Sequence, residues 1–317
     1  MSQEISIALV LGSGAARGMA HIGVIDWLNE HDIRIESIAG CSIGAVVGGI
    51  YAAGALDDYR NWVCALDEID VIRMLDFSFD ARGLVKGEKI LETLRELTGD
   101  KVIEDLPIRF TAVASDIERE EEIWLTEGSL FDAIRASFAI PTVFKPHPYR
   151  NRLLFDGGLL NPLPIAPTFG DPVDYRVAVN LNGPPSADWD KPVEHREKGD
   201  DEDGYRQRIA DFISRLGLSD KPRRSDGNLV DIALASLDTM QGSITRMKLA
   251  AYPPDCTISI PRNRCRAHEF YRAEELIEFG YETAERQLSD LLADRERDGG
   301  SRASPVDSHL LDSNGQE

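Results

Sequence analysis

The stretch Gly40-Cys41-Ser42-Ile43-Gly44 decides how this chain is read. Residues 33–39 before it form an apolar segment suited to a strand, and residues 45–55 after it are suited to a helix. A serine at the tip of a tight strand-to-helix turn needs small neighbours two residues to either side, because a side chain there crowds the turn. The spacing of Gly40, Ser42 and Gly44 therefore predicts a nucleophile elbow that lifts Ser42 clear of a sheet. The plain alternative is a Gly/Ser turn without chemistry; the flanking strand and helix favour the elbow.

Working back from the elbow, residues 5–11 are a short apolar run rich in β-branched side chains, as a buried parallel strand requires. They lead into Gly12-Ser13-Gly14-Ala15-Ala16-Arg17-Gly18 and then into a helix over residues 19–30. A glycine-rich turn entering a helix presents backbone N–H groups to an anion. The dinucleotide fingerprint G-x-G-x-x-G fails here, since Arg17 stands where its third glycine belongs. With Ser42 on the next strand, the N–H groups of Gly12, Ser13, Gly14 and Ala15 are better used as an oxyanion hole. Arg17 either adds positive charge there or is a solvated first-turn side chain. His21 is expected to pack or hydrogen-bond rather than to act as a base. The order strand, glycine turn, helix, strand, elbow, helix is a βαβ unit, which places both chemical elements at one edge of a parallel sheet.

A serine nucleophile needs a base. His195 lies in a charged stretch, His309 in a polar tail and His268 among charged residues near a helix start, and no histidine follows a strand end in the order of an α/β-hydrolase triad. Asp156 does sit at a strand end, after Leu153-Leu154-Phe155 and before Gly157 and Gly158, whose lack of side chains lets substrate or loop approach. A serine-aspartate dyad of Ser42 and Asp156 is the economical arrangement.

Elsewhere, residues 57–105 read as mainly helical, with apolar residues of 84–97 at helical spacing. Residues 75–83, with Phe77 and Phe79, are either a mobile cover over a lipid site or a loop with two core aromatics. Residues 108–115 read as a buried strand whose Asp116 positions loops near the site, followed by a hairpin turn at Glu118-Arg119-Glu120. Ser129 is an N-cap for residues 130–137. The segment 186–204 is charged and solvated, 205–218 is an amphipathic helix that packs on the domain or touches membrane, and residues 229–252 form a long helix. A last strand over 257–260 and a closing helix over 270–292 follow, with a disordered tail from 294.

Composition sets the outer limits. The chain has 317 residues, 42% hydrophobic and 28% charged, enough for one α/β domain with a full core. A formal charge of −20 and a pI near 4.7 argue against nucleic acid as a partner and against broad adsorption to anionic lipid. Four scattered cysteines have no metal spacing and read as reduced thiols, and the N-terminus lacks a basic signal region, so a cytoplasmic location is expected. The uncharged span 37–56 has the length of a membrane helix but contains the elbow, and reads as a buried strand, turn and helix.

With these residues in hand, the sequence resembles the patatin-like phospholipases, in particular bacterial members related to neuropathy target esterase. The resemblance lies in Gly12 to Gly18, Gly40 to Gly44 and Asp156-Gly157-Gly158 in that order, supported by Ala20-His21-Ile22-Gly23-Val24, Ile134-Arg135-Ala136-Ser137 before Ile140-Pro141, and Asn161-Pro162-Leu163-Pro164. It implies a three-layer α/β/α fold with a mostly parallel central sheet, Ser42 as nucleophile, Asp156 as base and the glycine-rich loop as oxyanion hole. It also implies hydrolysis of acyl esters in phospholipids or lysophospholipids without a metal; no cofactor is expected, and peripheral contact at the inner membrane face is left open. An acyltransferase or thioesterase using the same dyad, and a non-catalytic acyl-lipid sensor, are the rival functions. Cys41, where the family more often has threonine, and Thr142, where glycine is common, depart from the pattern. The expected division is a catalytic core over 1–185, a charged insertion over 186–227, the rest of the same domain over 228–293, and a tail over 294–317.

Overall fold

The computed structural model describes residues 5–74, 87–186 and 229–298. Its centre is an eight-stranded sheet built from β1 (Ile5–Leu11), β2 (Ile33–Cys41), β3 (Arg109–Asp116), β4 (Glu121–Leu125), β5 (His147–Tyr149), β6 (Arg152–Asp156), β7 (Tyr175–Gly183) and β8 (Cys256–Pro261). The order is β5-β6-β3-β2-β1-β7-β8, with β4 paired to β3. The five strands β3, β2, β1, β7 and β8 run parallel, and β4, β5 and β6 pair antiparallel.

Parallel strands are buried on both faces, and β1 shows how one apolar run supplies two cores. Leu9 and Leu11, with Val177 and Val179 of β7, face the main core. Helices α1 (Ala20–Glu30), α2 (Ile43–Ala52), α3 (Leu56–Ala65), α5 (Glu88–Thr98), α6 (Leu130–Ser137) and α8 (Ala273–Asp298) contribute to that core. Val10 and Ala178 face the other way, onto a smaller cluster with Leu163 and Ile165 that Leu249 of α7 (Leu229–Ala251) packs against. The result is the expected three-layer α/β/α arrangement around a mostly parallel sheet.

Most elements lie where the spacing predicts, including the Ser129 cap, whose hydroxyl accepts from the Asp132 N–H at 3.3 Å. Three features differ. The strand β7 is not obvious in sequence, because Asn180 and Asn182 break its apolar run. A 3-10 turn over Ala15–Met19 precedes α1. The closing helix continues to Asp298, so the tail does not begin at 294. The expected cover over 75–83, the insertion beyond residue 186 and the helix over 205–218 lie outside the described residues. After α4 (Glu68–Met74) the chain is described again from residue 87. Among the described residues no helix is long and apolar enough to cross a membrane.

Candidate active site

Ser42 sits between the end of β2 and the start of α2 with φ 55° and ψ −121°, a left-handed backbone that L-residues adopt only under strain. The turn is closed from both sides. A Cβ on Gly40 would lie 2.5 Å from the Gly44 carbonyl oxygen, and a Cβ on Gly44 would lie 2.1 Å from the Leu11 carbonyl oxygen. Both distances are impossible for real atoms, which is the physical reason for glycine on either side of Ser42.

Asp156 reaches Ser42 through strand order. Along one edge of β3, β2 pairs from Arg109 to Val113 and β6 takes over from Ala114 to Asp116, while β4 occupies the opposite edge. Cys41 is opposite Val113 and Asp156 is opposite Ala114, so the ends of β2 and β6 abut. A Cβ on Gly157 would meet the Val113 carbonyl oxygen at 2.1 Å, so only glycine permits this approach.

The Ser42 hydroxyl donates to Asp156 Oδ2 at 2.6 Å, and the other carboxylate oxygen, Oδ1, accepts from the Gly158 N–H at 2.7 Å. Both side chains are buried. Burial pushes the Asp156 carboxyl up to about 6, against the opposing pull of the Ser42 and Gly158 donors. The Ser42 N–H donates to Ser137 Oγ at 2.9 Å, and the Ser137 hydroxyl donates to the Val113 carbonyl at 2.6 Å, which fixes the elbow to β3.

The glycine-rich loop is more committed than its sequence suggests. The Gly12 and Ser13 N–H groups donate to the carbonyls of Val179 and Pro162, and those of Ala16 and Arg17 to Ala267 and Gly14. Among the described residues, the N–H groups of Gly14 and Ala15 have no protein acceptor, and Ala15 lines the same cavity as Ser42. Arg17 is not the solvated first-turn side chain that one reading made it. Its side chain is buried, with Nη1 donating to the Arg262 carbonyl at 2.6 Å and Nη2 paired with Asp238 of α7 at 3.1 Å. One turn along α7, Gln241 accepts from the Ser13 hydroxyl at 3.2 Å and packs against Gly158, where a Cβ would lie 2.5 Å from its amide nitrogen. Thus α7 holds the glycine loop and the Asp-Gly-Gly turn together.

His21 is fully buried, and burial pushes its imidazole down to about 4 although the Gly12 carbonyl opposes the shift. It is neutral, and its Nε2 lies 2.9 Å from the Gly12 carbonyl oxygen, an acceptor that requires the N–H on Nε2. Asp116 anchors the hairpin by accepting from the Glu118 and Arg119 N–H groups and from the Arg119 and Arg152 side chains. His268 lines the cavity at Ser42, whereas His195 and His309 lie outside the described residues.

That cavity has a volume of about 230 Å³ and an apolar lining that includes Ile43, Val46, Phe138, Ile140, Val143 and Phe144. Sequence reasoning missed the cavity, Ser137 and Gln241. Ser137 stands in a motif that supports the resemblance but carries no signal of its role, and Gln241 is one polar residue in a long helix.

A family model described as patatin-like phospholipase matches residues 9–169. A Mycobacterium bovis protein named as an uncharacterized NTE family protein is 37% identical over 90% of this chain and 92% of its own length, and its Mycobacterium tuberculosis counterpart matches equally. The neuropathy target esterase sws of Drosophila grimshawi is 32% identical over 50% of this chain and 11% of its own length. A match that starts inside β1, runs past β6 and contains every motif that converges on Ser42 leads to one conclusion: the chain belongs to the patatin-like phospholipase family, enzymes that hydrolyse lipid esters.

Proposed function

We propose that this protein cleaves an acyl ester of a phospholipid or lysophospholipid, with Ser42 as nucleophile and Asp156 as its base. The observation that carries this reading is the 2.6 Å bond between the two side chains, with Ser42 lining an apolar cavity. Asp156 takes the Ser42 proton as Oγ attacks the ester carbonyl carbon, and the carbonyl electrons move onto the oxygen. The Gly14 and Ala15 N–H groups, the two without an acceptor among the described residues, stabilise that oxyanion, each such donor being worth about 100-fold or more in rate. Collapse breaks the ester C–O bond, and the leaving alkoxide takes the proton from Asp156. Water then loses a proton to Asp156 as it attacks the acyl-enzyme, which releases the fatty acid and restores Ser42. The reading carries no metal, cofactor or nucleic-acid partner, and places the enzyme in the cytoplasm at the inner membrane face.

An ordinary exposed carboxylate is a poor base for a hydroxyl. Raising Asp156 to about 6 brings it nearer the working pH and strengthens it. Labelling with a fluorophosphonate, followed by peptide mass spectrometry, tests the assignment. The expected adduct is on Ser42 in the wild type and is lost in both Ser42→Ala and Asp156→Asn, with folding retained by circular dichroism. Near-normal esterase turnover in Asp156→Asn would overturn the dyad.

A further inference from the structure

The apolar cavity at Ser42 reaches the helices α3 and α5. Part of its wall is formed by Trp62 of α3 and Leu66, the C-cap of α3, together with Ile90 and Leu94 of α5. The same Trp62 and Leu66 line a second hollow, a surface groove of about 500 Å³ whose other residues, among those described, are Asp70, Lys89, Glu92, Thr93 and Glu96. One pair of side chains therefore separates an apolar space from a polar one. The sequence of α5 produces this division: Ile90 and Leu94 serve the cavity, while Lys89, Glu92, Thr93 and Glu96 serve the groove.

A chain that extends from Ser42 into the cavity gains about fourfold in affinity per methylene, the equivalent of about 0.8 kcal/mol each. A methylene pushed past the wall meets the polar side chains of Asp70, Lys89, Glu92, Thr93 and Glu96, gains nothing, and must displace an indole ring. The volume sets the length. An apolar cavity of about 150 Å³ holds benzene, so by proportion a cavity of about 230 Å³ holds roughly nine carbons.

We propose that the wall of Trp62 and Leu66 measures the acyl chain, so that acyl groups of roughly eight to ten carbons fill the site and longer ones gain nothing further. The proposal rests on the reading of Ser42 as nucleophile, but its test does not depend on catalysis. Straight-chain 2-alkanones of increasing length, uncharged so that Asp156 does not repel them, are titrated calorimetrically against the full-length Ser42→Ala protein. Affinity is expected to climb about fourfold per carbon and to level off near nine carbons. Trp62→Ala and, as a smaller change, Leu66→Ala on the same background are expected to move that break by at least two carbons. In the Ser42 enzyme, kcat/KM on p-nitrophenyl esters is expected to peak at the same length and to shift with the same variants. Because each readout compares chain lengths within one protein, poor folding lowers all lengths together and does not imitate the shift. A climb that continues unbroken to sixteen carbons, or a break unmoved in both variants, overturns the proposal. A break that moves as expected, in a protein that takes no fluorophosphonate and cleaves no ester, upholds the wall and removes the hydrolase reading.

Discussion

Burial of Asp156 ties activity and stability to pH in opposite directions. With its carboxyl raised to about 6, the base is ionised above that pH and protonated below it. Under the proposed mechanism, kcat/KM on a short soluble ester should fall about tenfold per pH unit below about 6 and stay level from about 7 to 8. A profile flat between pH 5 and 7 would remove Asp156 as the base. For stability, the folded pKa lies above the unfolded value of 3.8, so the native state holds the proton more tightly. That contribution is full below about pH 4 and is lost as pH rises through about 6, a change of roughly 3 kcal/mol. Asp156→Asn removes the titration, so its unfolding free energy in urea at pH 7 should equal or exceed that of the wild type while activity disappears. The contact between Ser42 and Asp156 was legible because local motifs mark both residues. The role of Arg17 was not, because its partner Asp238 is 221 residues away. The departure at Thr142 also acquires a meaning only here: its φ of 69° is the left-handed backbone that suits the family's glycine and strains a β-branched residue.

At the scale of elements, the site depends on β6 following β2 along one edge of β3, and on two helices that bring the scaffold together. The helices α1 and α8 cross in contact through glycine. A Cβ on Gly23 would lie 1.9 Å from the Ile277 carbonyl oxygen, and one on Gly280 would lie 2.1 Å from that of Ala20. Backbone cannot yield as a side chain tip can, so Gly23→Ala or Gly280→Ala should each destabilise by about 2 kcal/mol or more, measured by chemical denaturation. A loss under about 0.5 kcal/mol in both would mean that the crossing has slack. The period of α5 was readable because one side of the helix, with Ile90, Leu91 and Leu94, is apolar. The strand β7 was not, since Asn182 donates its N–H to Asn180 Oδ1 inside the segment, a turn-like signal in a strand that only its neighbours β1 and β8 reveal.

At the scale of the molecule, a charge of −20 opposes the approach of a lipid hydrolase to an acidic bilayer. The Debye length falls from about 30 Å at 0.01 M salt to about 8 Å at 0.15 M, so salt relieves the repulsion. Hydrolysis of a lipid held in vesicles should therefore decline as phosphatidylglycerol replaces phosphatidylcholine at low salt, and recover as salt is added. Activity that instead rises with the anionic fraction would locate a basic docking patch that the overall charge conceals.

Taken alone, the sequence determined the turns that are local in the chain. A strand, a G-x-S-x-G turn and a helix specify an elbow within a dozen residues, and Asp-Gly-Gly after a strand specifies a carboxylate that neighbours can approach. Only the tertiary structure decided which loop N–H groups remain open, because Val179, Pro162 and Ala267, which occupy the others, come from distant segments. It also decided the cavity, whose lining is gathered from α2, α3, α4 and α5 and from the loops after α6 and β8. Each of those side chains reads in sequence as ordinary core, and a space is a property of how helices pack rather than of any one of them.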